Sequence, residues 1–166
     1  MITTMVGNYP KVANRRRGGR LRTSRARFET GEITEAEFWK VQDDVTCEVM
    51  EEQLSAGLDL ITDGHIRWDD TQTYFAGKFS GVTLTGLLRY FDTNTYYRQP
   101  VVNDPLQWQG PISVEDYRFA VRHSTKPVKA VVPGPYTMAR LSKDGCYAPV
   151  QPDGLIDELE VSGRIH

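Results

Sequence analysis

The sequence has few of the features that mark secreted, membrane or disulfide-rich proteins. Only two cysteines occur, Cys47 and Cys146, and neither has a partner motif nearby. This usage is typical of a reducing compartment and predicts a cytoplasmic protein. No hydrophobic run approaches the roughly 20 residues that span a bilayer. The first ten residues also lack the regions of a secretion signal. We therefore expect neither a membrane segment nor a disulfide framework.

Negative charge is missing from the first 28 residues. Residues 11–27 carry eight basic side chains: Lys11, Arg15, Arg16, Arg17, Arg20, Arg22, Arg25 and Arg27. A run of this kind is able to bind nucleic acid, but the interleaved aromatic residues of single-strand binders are absent from it. Acidic residues dominate positions 29–59. We favour a solvated basic segment, residues 11–30, that is irregular or partly helical and pairs with the acidic helix after it.

The composition predicts one folded domain over residues 1–166. Hydrophobic residues make up 39% of the chain and charged residues 25%, which is ordinary for a globular protein. The clearest predicted element is a helix from about 35 to 56. Thr34 and Glu37 match a capping box, and Gly57 suits the left-handed position after the helix. Its apolar stripe recurs at helical spacing: Phe38, Val41, Val45 and Val49.

Three short apolar segments are predicted to be strands, at 3–6, 58–62 and 128–132. Between the last two strands we expect a short helix after Asp70, a hairpin or extended excursion around 88–102, and a second helix beginning at Ser113. From Tyr136 onward we predict loop, with one short helix near 153–161.

Alternation of strands and helices indicates parallel βα units, in which a ligand binds beyond the carboxyl ends of the strands. Three strand ends are then expected to be neighbours: Val6-Gly7-Asn8, Asp63-Gly64-His65 and Pro133-Gly134-Pro135. The fold class predicted on this basis is α/β with parallel strands.

Five segments carry a resemblance to a known family. In chain order they are "TTMVGNYP", "GEITEAEF", "GLDLITDGHIRWDD" with "YFAGKFSG", "YYRQPVV" and "KPVKAVVPGPYTM". Over residues 2–145 the chain resembles the catalytic domain of cobalamin-independent methionine synthases, especially the short archaeal and bacterial ones. The resemblance implies a (βα)8 TIM barrel, with about the first three βα units in this chain and a poorly matched tail at 146–166. It also implies methyl transfer to a homocysteine-like thiol, with a corrinoid protein or methyl-folate as donor.

The resemblance also implies site residues. Val6, Gly7 and Asn8 correspond to the turn that holds the amino acid substrate in the family. His65 stands where the family has a glutamate that pairs with the substrate ammonium group. A neutral imidazole can accept a hydrogen bond there, whereas a protonated one would repel the ammonium. Asp70 matches a family aspartate just past this turn.

The family implies zinc as a cofactor, but its ligands are a His-x-Cys, a Glu and a later Cys. No His-x-Cys occurs here, and the three histidines are His65, His123 and His166. Since a catalytic zinc site needs three convergent protein ligands, we assign no metal ligand and no catalytic residue to this chain. We expect catalysis to need the carboxyl-terminal half of a family barrel.

Several alternatives stay open. Three open βα units expose sheet edges, so the chain could be a non-catalytic barrel piece that assembles with another chain or a second copy. His65 is either a site residue or a turn histidine, and Asp63 either orients a ligand or caps the turn. Cys47 is expected to be a small core residue. Trp68 and Trp108 either stack on a flat ligand or pack in a core.

Overall fold

A computed structural model describes residues 1–11, 15–90 and 92–147, with the backbone alone at 15–17. The chain divides into two compact units. The first unit comprises Met1–Arg67 and Ser113–Val131, and the second Trp68–Ile112 and Val132–His166. The predicted helix near 153–161 lies outside the described residues.

Helix α2 of the first unit, Glu35–Ser55, confirms the clearest sequence prediction. The Glu37 amide donates to Thr34 Oγ1 at 3.3 Å, and the Thr34 amide donates to Glu37 Oε2 at 2.8 Å, which closes the capping box. Gly57 follows with φ +80°. Val45 and Val49 of the apolar stripe are fully buried, and Cys47 beside them is partly buried.

Helix α1, Arg15–Glu29, was predicted to be irregular or partly helical, and it is one continuous helix. Its contacts with α2 explain the difference, because tertiary packing outweighs the low helix propensity of its two glycines. The Phe28 ring stacks on Phe38 with centroids 5.1 Å apart. Arg20 pairs with Asp44 at 3.8 Å and with Glu48. The predicted pairing of basic segment and acidic helix is therefore confirmed for Arg20.

The three predicted apolar strands of the first unit are reduced to single parallel bridges. Thr4 pairs with Leu60, and Ile61 pairs with Val128. Helix α2 and helix α4, Val114–Arg122, accompany these segments. Met50 of α2, Ile61 and Ala120 of α4 form one buried cluster. The alternation of parallel segments and helices that the sequence predicts is thus present in this unit.

The second unit begins with the expected short helix, α3 (Thr71–Ala76), followed by the predicted hairpin. Strand β1, Phe79–Arg89, pairs antiparallel with β2, Tyr96–Trp108. Helix α5 (Pro135–Leu141) and a short strand β3 (Lys143–Asp144), parallel to β2, complete the described part. Five buried residues of this unit form one hydrophobic cluster: Ala76, Val102, Leu106, Met138 and Ala139.

Helix α5 corrects the prediction of loop from Tyr136 onward. Pro135 occupies the first turn, where its missing N–H has no cost, and Gly134 precedes it in extended backbone. Met138 and Ala139 are buried, and that burial stabilises a helix too short to form alone. Trp68 stacks on Tyr74 at 4.8 Å, which confirms the core interpretation, whereas Trp108 is 54% exposed. Within the described residues, no helix is both long enough and apolar enough to cross a membrane.

Candidate functional site

The three parallel segments of the first unit are joined by backbone hydrogen bonds. The Leu60 amide donates to Thr3 O at 3.1 Å, and the Lys129 amide donates to Ile61 O at 2.8 Å. Because the segments run in the same direction, their carboxyl ends lie at one edge. Residues at these ends are the ones that a parallel βα architecture offers to a ligand.

Gly7 marks the place where these ends come together. A Cβ atom at this position would lie 3.0 Å from His65 Cε1 and 3.0 Å from Val131 Cγ1. Its φ of +146° is also one that residues with a side chain rarely adopt. Only glycine therefore allows this close approach of the three segments. We call the group Gly7, Asn8, Asp63, Gly64, His65 and Val131 the strand-end site.

The turn at 63–65 has an unusual backbone. Gly64 and His65 have φ values of +68° and +52°, and His65 is the one non-glycine residue with positive φ among those the structure describes. The His65 amide donates to Asp63 Oδ1 at 3.1 Å, which confirms that Asp63 caps the turn. The Tyr9 amide donates to Gly64 O at 3.0 Å. Strained backbone of this kind is found preferentially at binding and catalytic sites.

Two buried polar side chains, those of Gln53 and Thr62, hold the turn at 63–65 in place by hydrogen bonds. Gln53 of α2 donates from Nε2 to Thr62 O at 2.8 Å and accepts from the Thr62 amide at 2.9 Å. The Thr62 hydroxyl donates to Gly7 O at 3.2 Å and accepts from the Gly64 amide at 3.2 Å. Thr62 thus links the two strand ends directly, and Gln53 fixes Thr62.

His65 is buried and neutral at physiological pH. Burial, reinforced by the nearby charge of Lys11, lowers the pKa of His65 to about 4. A hydrogen bond with the Val131 backbone and the charge of Asp116 act in the opposite direction. For Asp63, burial raises the pKa of the carboxyl group, although the hydrogen bond from His65 acts against this.

The depressed pKa of His65 predicts a loss of stability in acid. An unfolded histidine titrates near 6.5. Between about pH 6.5 and about pH 4 the unfolded state therefore binds the proton more tightly than the folded state. The contribution of His65 to the free energy of unfolding is complete above about pH 6.5. It falls by about 3 kcal/mol as the pH drops from 6.5 through 4. Urea unfolding at successive pH values measures it.

The matched comparison is the variant His65→Gln, which keeps a polar side chain without this titration. Its free energy of unfolding should fall less than that of the wild type over the same pH range. The raised pKa of Asp63 acts oppositely, because it favours proton uptake by the folded state, but it is common to both proteins and cancels in the difference. Parallel curves for the two proteins would contradict the prediction.

One functional candidate was missed by the sequence argument. Arg67 lies two residues beyond His65, and its Nη1 donates to Asp116 Oδ1 of α4 at 2.7 Å. A second bond joins Arg67 Nη2 to Asp43 of α2. An arginine between the apolar Ile66 and Trp68 was the available signal, since a charge flanked by buried residues needs partners.

The predicted site residues differ in how they relate to the strand-end site. Gly7 and His65 come together, whereas the side chains of Val6 and Asn8, at the same strand end, are exposed. Asp70 belongs to the second unit, where it caps α3 by accepting from the Thr73 amide at 2.8 Å. Gly134 is the residue immediately before α5 in that unit. Ligand-binding roles for Val6, Gly7, Asn8, His65 and Asp70 remain predictions.

The described residues do not fit a zinc ion. Nowhere in 1–11, 15–90 or 92–147 do three His, Cys, Asp or Glu side chains group closely enough to hold a metal. A catalytic zinc site needs at least three such ligands. No chemical step is therefore assigned to a metal bound by these residues.

Comparison with known proteins gives consistent matches along the chain. The family model described as "Cobalamin-independent synthase, Catalytic domain" matches residues 1–145. The methionine synthase of Sulfurisphaera tokodaii is 32% identical over 146 residues, which are 87% of this chain and 41% of the relative. That of Pyrococcus furiosus is 28% identical over 163 residues, 98% of this chain and 46% of the relative. The chain thus spans less than half the length of these relatives.

Solved structures show the same fold. The putative vitamin-B12 independent methionine synthase of Listeria monocytogenes superposes with a TM-score of 0.70 at 17% identity, covering 98% of this chain and 46% of that one. The B12-independent methionine synthase of Shewanella sp. W3-18-1, in complex with selenomethionine, superposes with a TM-score of 0.64 at 24% identity. The match covers 79% of this chain and 41% of that one. Because the catalytic-domain model matches most of its length, this chain belongs to the cobalamin-independent methionine synthase family.

Proposed function

We propose that this chain binds the amino-acid part of a thiol or thioether substrate at the strand-end site, for S-methyl transfer to homocysteine. The observation that carries the proposal is the close approach of Gly7 to His65 and Val131, which leaves no room for a Cβ atom where three parallel segments end. Family membership and the selenomethionine bound by the Shewanella relative support this class of ligand. The three segments would be the first strands of a (βα)8 barrel, and the rest of the barrel would complete the reaction.

The chemistry of the site suits an amino acid. A neutral His65 imidazole can accept a hydrogen bond from the substrate ammonium group without charge repulsion. The exposed amide side chain of Asn8 offers a donor for the substrate carboxylate. Activation of the homocysteine thiol and supply of the methyl group, from a corrinoid protein or methyl-folate, are not assigned to any described residue.

Calorimetric titration with L-methionine tests the proposal. The wild-type chain should bind L-methionine more tightly than 3-(methylthio)propionate, which lacks the ammonium group. His65→Glu should tighten L-methionine binding by about tenfold, since a hydrogen bond to an ionised acceptor is about twice as strong as a neutral one. It should leave the deaminated compound no better bound.

His123→Glu serves as the matched control, because His123 is an exposed histidine of the same unit. It should leave both affinities unchanged. Failure of the wild type and of His65→Glu to bind L-methionine would contradict the proposal. That result would favour the alternative of a non-catalytic barrel piece that assembles with another chain.

A further inference from the structure

The side chain of Arg67 is held by two helices at once. It bonds to Asp116 on α4 at 2.7 Å and to Asp43 on α2. The side chain of Arg67 is only 12% exposed and that of Asp116 only 7%. Although burial lowers the pKa of Arg67, its hydrogen bonds to Asp116 and Asp43 outweigh this and raise the pKa overall. The guanidinium group is therefore a fixed charge.

Two aromatic rings fix the same group further. The Arg67 guanidinium carbon lies 4.6 Å from the ring centroid of Phe119 and 5.4 Å from that of Trp39. Phe119 belongs to α4 and Trp39 to α2, so the aromatic contacts repeat the connection made by the carboxylates. A planar guanidinium can combine two carboxylates and ring faces in this way, whereas a lysine ammonium cannot.

We infer that Arg67 is a positioning residue, which fixes the turn bearing His65 by joining it to α2 and α4 and so holds the imidazole ready for ligand. The chain between His65 and Arg67 is one residue, Ile66, whose side chain is buried against Val45 and Val49. Because only Ile66 separates the two residues, a displacement of the Arg67 backbone would also displace His65. The ligand part of this inference rests on the proposed function, whereas the positioning part does not.

The charges around the turn give the inference a specific signature. Asp116 raises the pKa of both His65 and Asp63, while Lys11 lowers both. Arg67 also lowers the pKa of Asp63 and neutralises Asp116 by direct contact. Without Arg67 the Asp116 carboxylate would lose the guanidinium group that contacts it at 2.7 Å. It would then favour the protonated form of His65 more strongly.

The test follows the His65 imidazole by NMR titration, with amide resonances as a second readout. Arg67→Met should raise the titration midpoint of His65 by about one pH unit and shift the amides of Gly64 and His65. It should also weaken L-methionine binding by about tenfold, because the imidazole is misplaced. Arg67→Lys keeps the charge but not the double connection. It should leave the midpoint near that of the wild type and still shift the amides.

Two further variants separate position from charge. Adding Asp116→Asn to Arg67→Met removes the carboxylate whose charge raises the pKa of His65, so the double variant should fold and regain the wild-type midpoint without the wild-type amide positions. Arg118→Met breaks an exposed pair with Glu115 on the same helix and should change nothing at His65. If the amides of Gly64 and His65 stay in place in both Arg67→Lys and the double variant, the inference is overturned.

The two proposals fail in different ways. Loss of the proposed function would be seen as absence of L-methionine binding by the wild type. The positioning role is decided by the ligand-free spectra of the Arg67 variants, which do not depend on that outcome. Wild-type binding that is unaffected by Arg67→Met would overturn the ligand part of the inference alone.

Discussion

Replacing Gly64 with alanine is expected to destabilise the protein by about 4 kcal/mol, from backbone strain and overpacking together. Gly64 has φ +68°, and an added Cβ would lie 2.8 Å from Val49 Cγ1 and 2.9 Å from Tyr9 Cβ. Neither neighbour has room to give way. Val49 is fully buried, and the Tyr9 amide is bonded to Gly64 itself. Urea unfolding followed by circular dichroism measures the loss.

Gly57→Ala is the matched control for this substitution. Gly57 has a similar φ, +80°, but a Cβ there would meet no atom of the described residues within 4 Å. The control therefore carries the backbone penalty without the crowding, and should cost about 1 kcal/mol. Equal losses for the two variants would show that the turn at Gly64 is not tightly packed.

The local parts of the fold are the parts that the sequence predicts well. Helix α2 is specified by its own residues, since Thr34, Glu37 and Gly57 mark both ends independently of the rest of the chain. Helices α1 and α5 depend on their neighbours. Arg20 of α1 has its carboxylate partner on α2. Helix α5 is stabilised because Met138 is buried in the hydrophobic cluster of its unit. A local sequence pattern does not show which residues pack against each other across the fold. The α1 segment was therefore predicted to be irregular or partly helical, and the α5 segment to be loop.

The candidate site also has one part that the sequence predicts and another that it does not. The strand-end rule correctly brought Gly7 and His65 together, because parallel segments of one unit end at one edge. It did not anticipate Arg67, whose partners Asp43 and Asp116 come from two separate helices. Side-chain networks between elements need the packing of those elements to be known. The sequence records only that each charge exists.

The second large effect is expected for Gln53→Met, which keeps the length of the side chain but removes its hydrogen bonds. Gln53 and Thr62 are almost completely buried. The substitution leaves the Thr62 amide and carbonyl, bonded in the native protein at 2.9 and 2.8 Å, without the side chain that satisfies them. Since each buried unsatisfied group costs about 1–3 kcal/mol, we expect a loss of about 4 kcal/mol.

Glu51→Met is the control, because Glu51 is exposed on the same helix two residues away and should change stability by less than about 0.5 kcal/mol. The Gln53 variant should also weaken L-methionine binding, since the Thr62 hydroxyl connects Gly7 to Gly64 across the strand-end site. Lost stability with unchanged affinity would mean that Gln53 supports the fold only. Loss of both would mean that the buried contacts of α2 also hold the binding geometry of the turn.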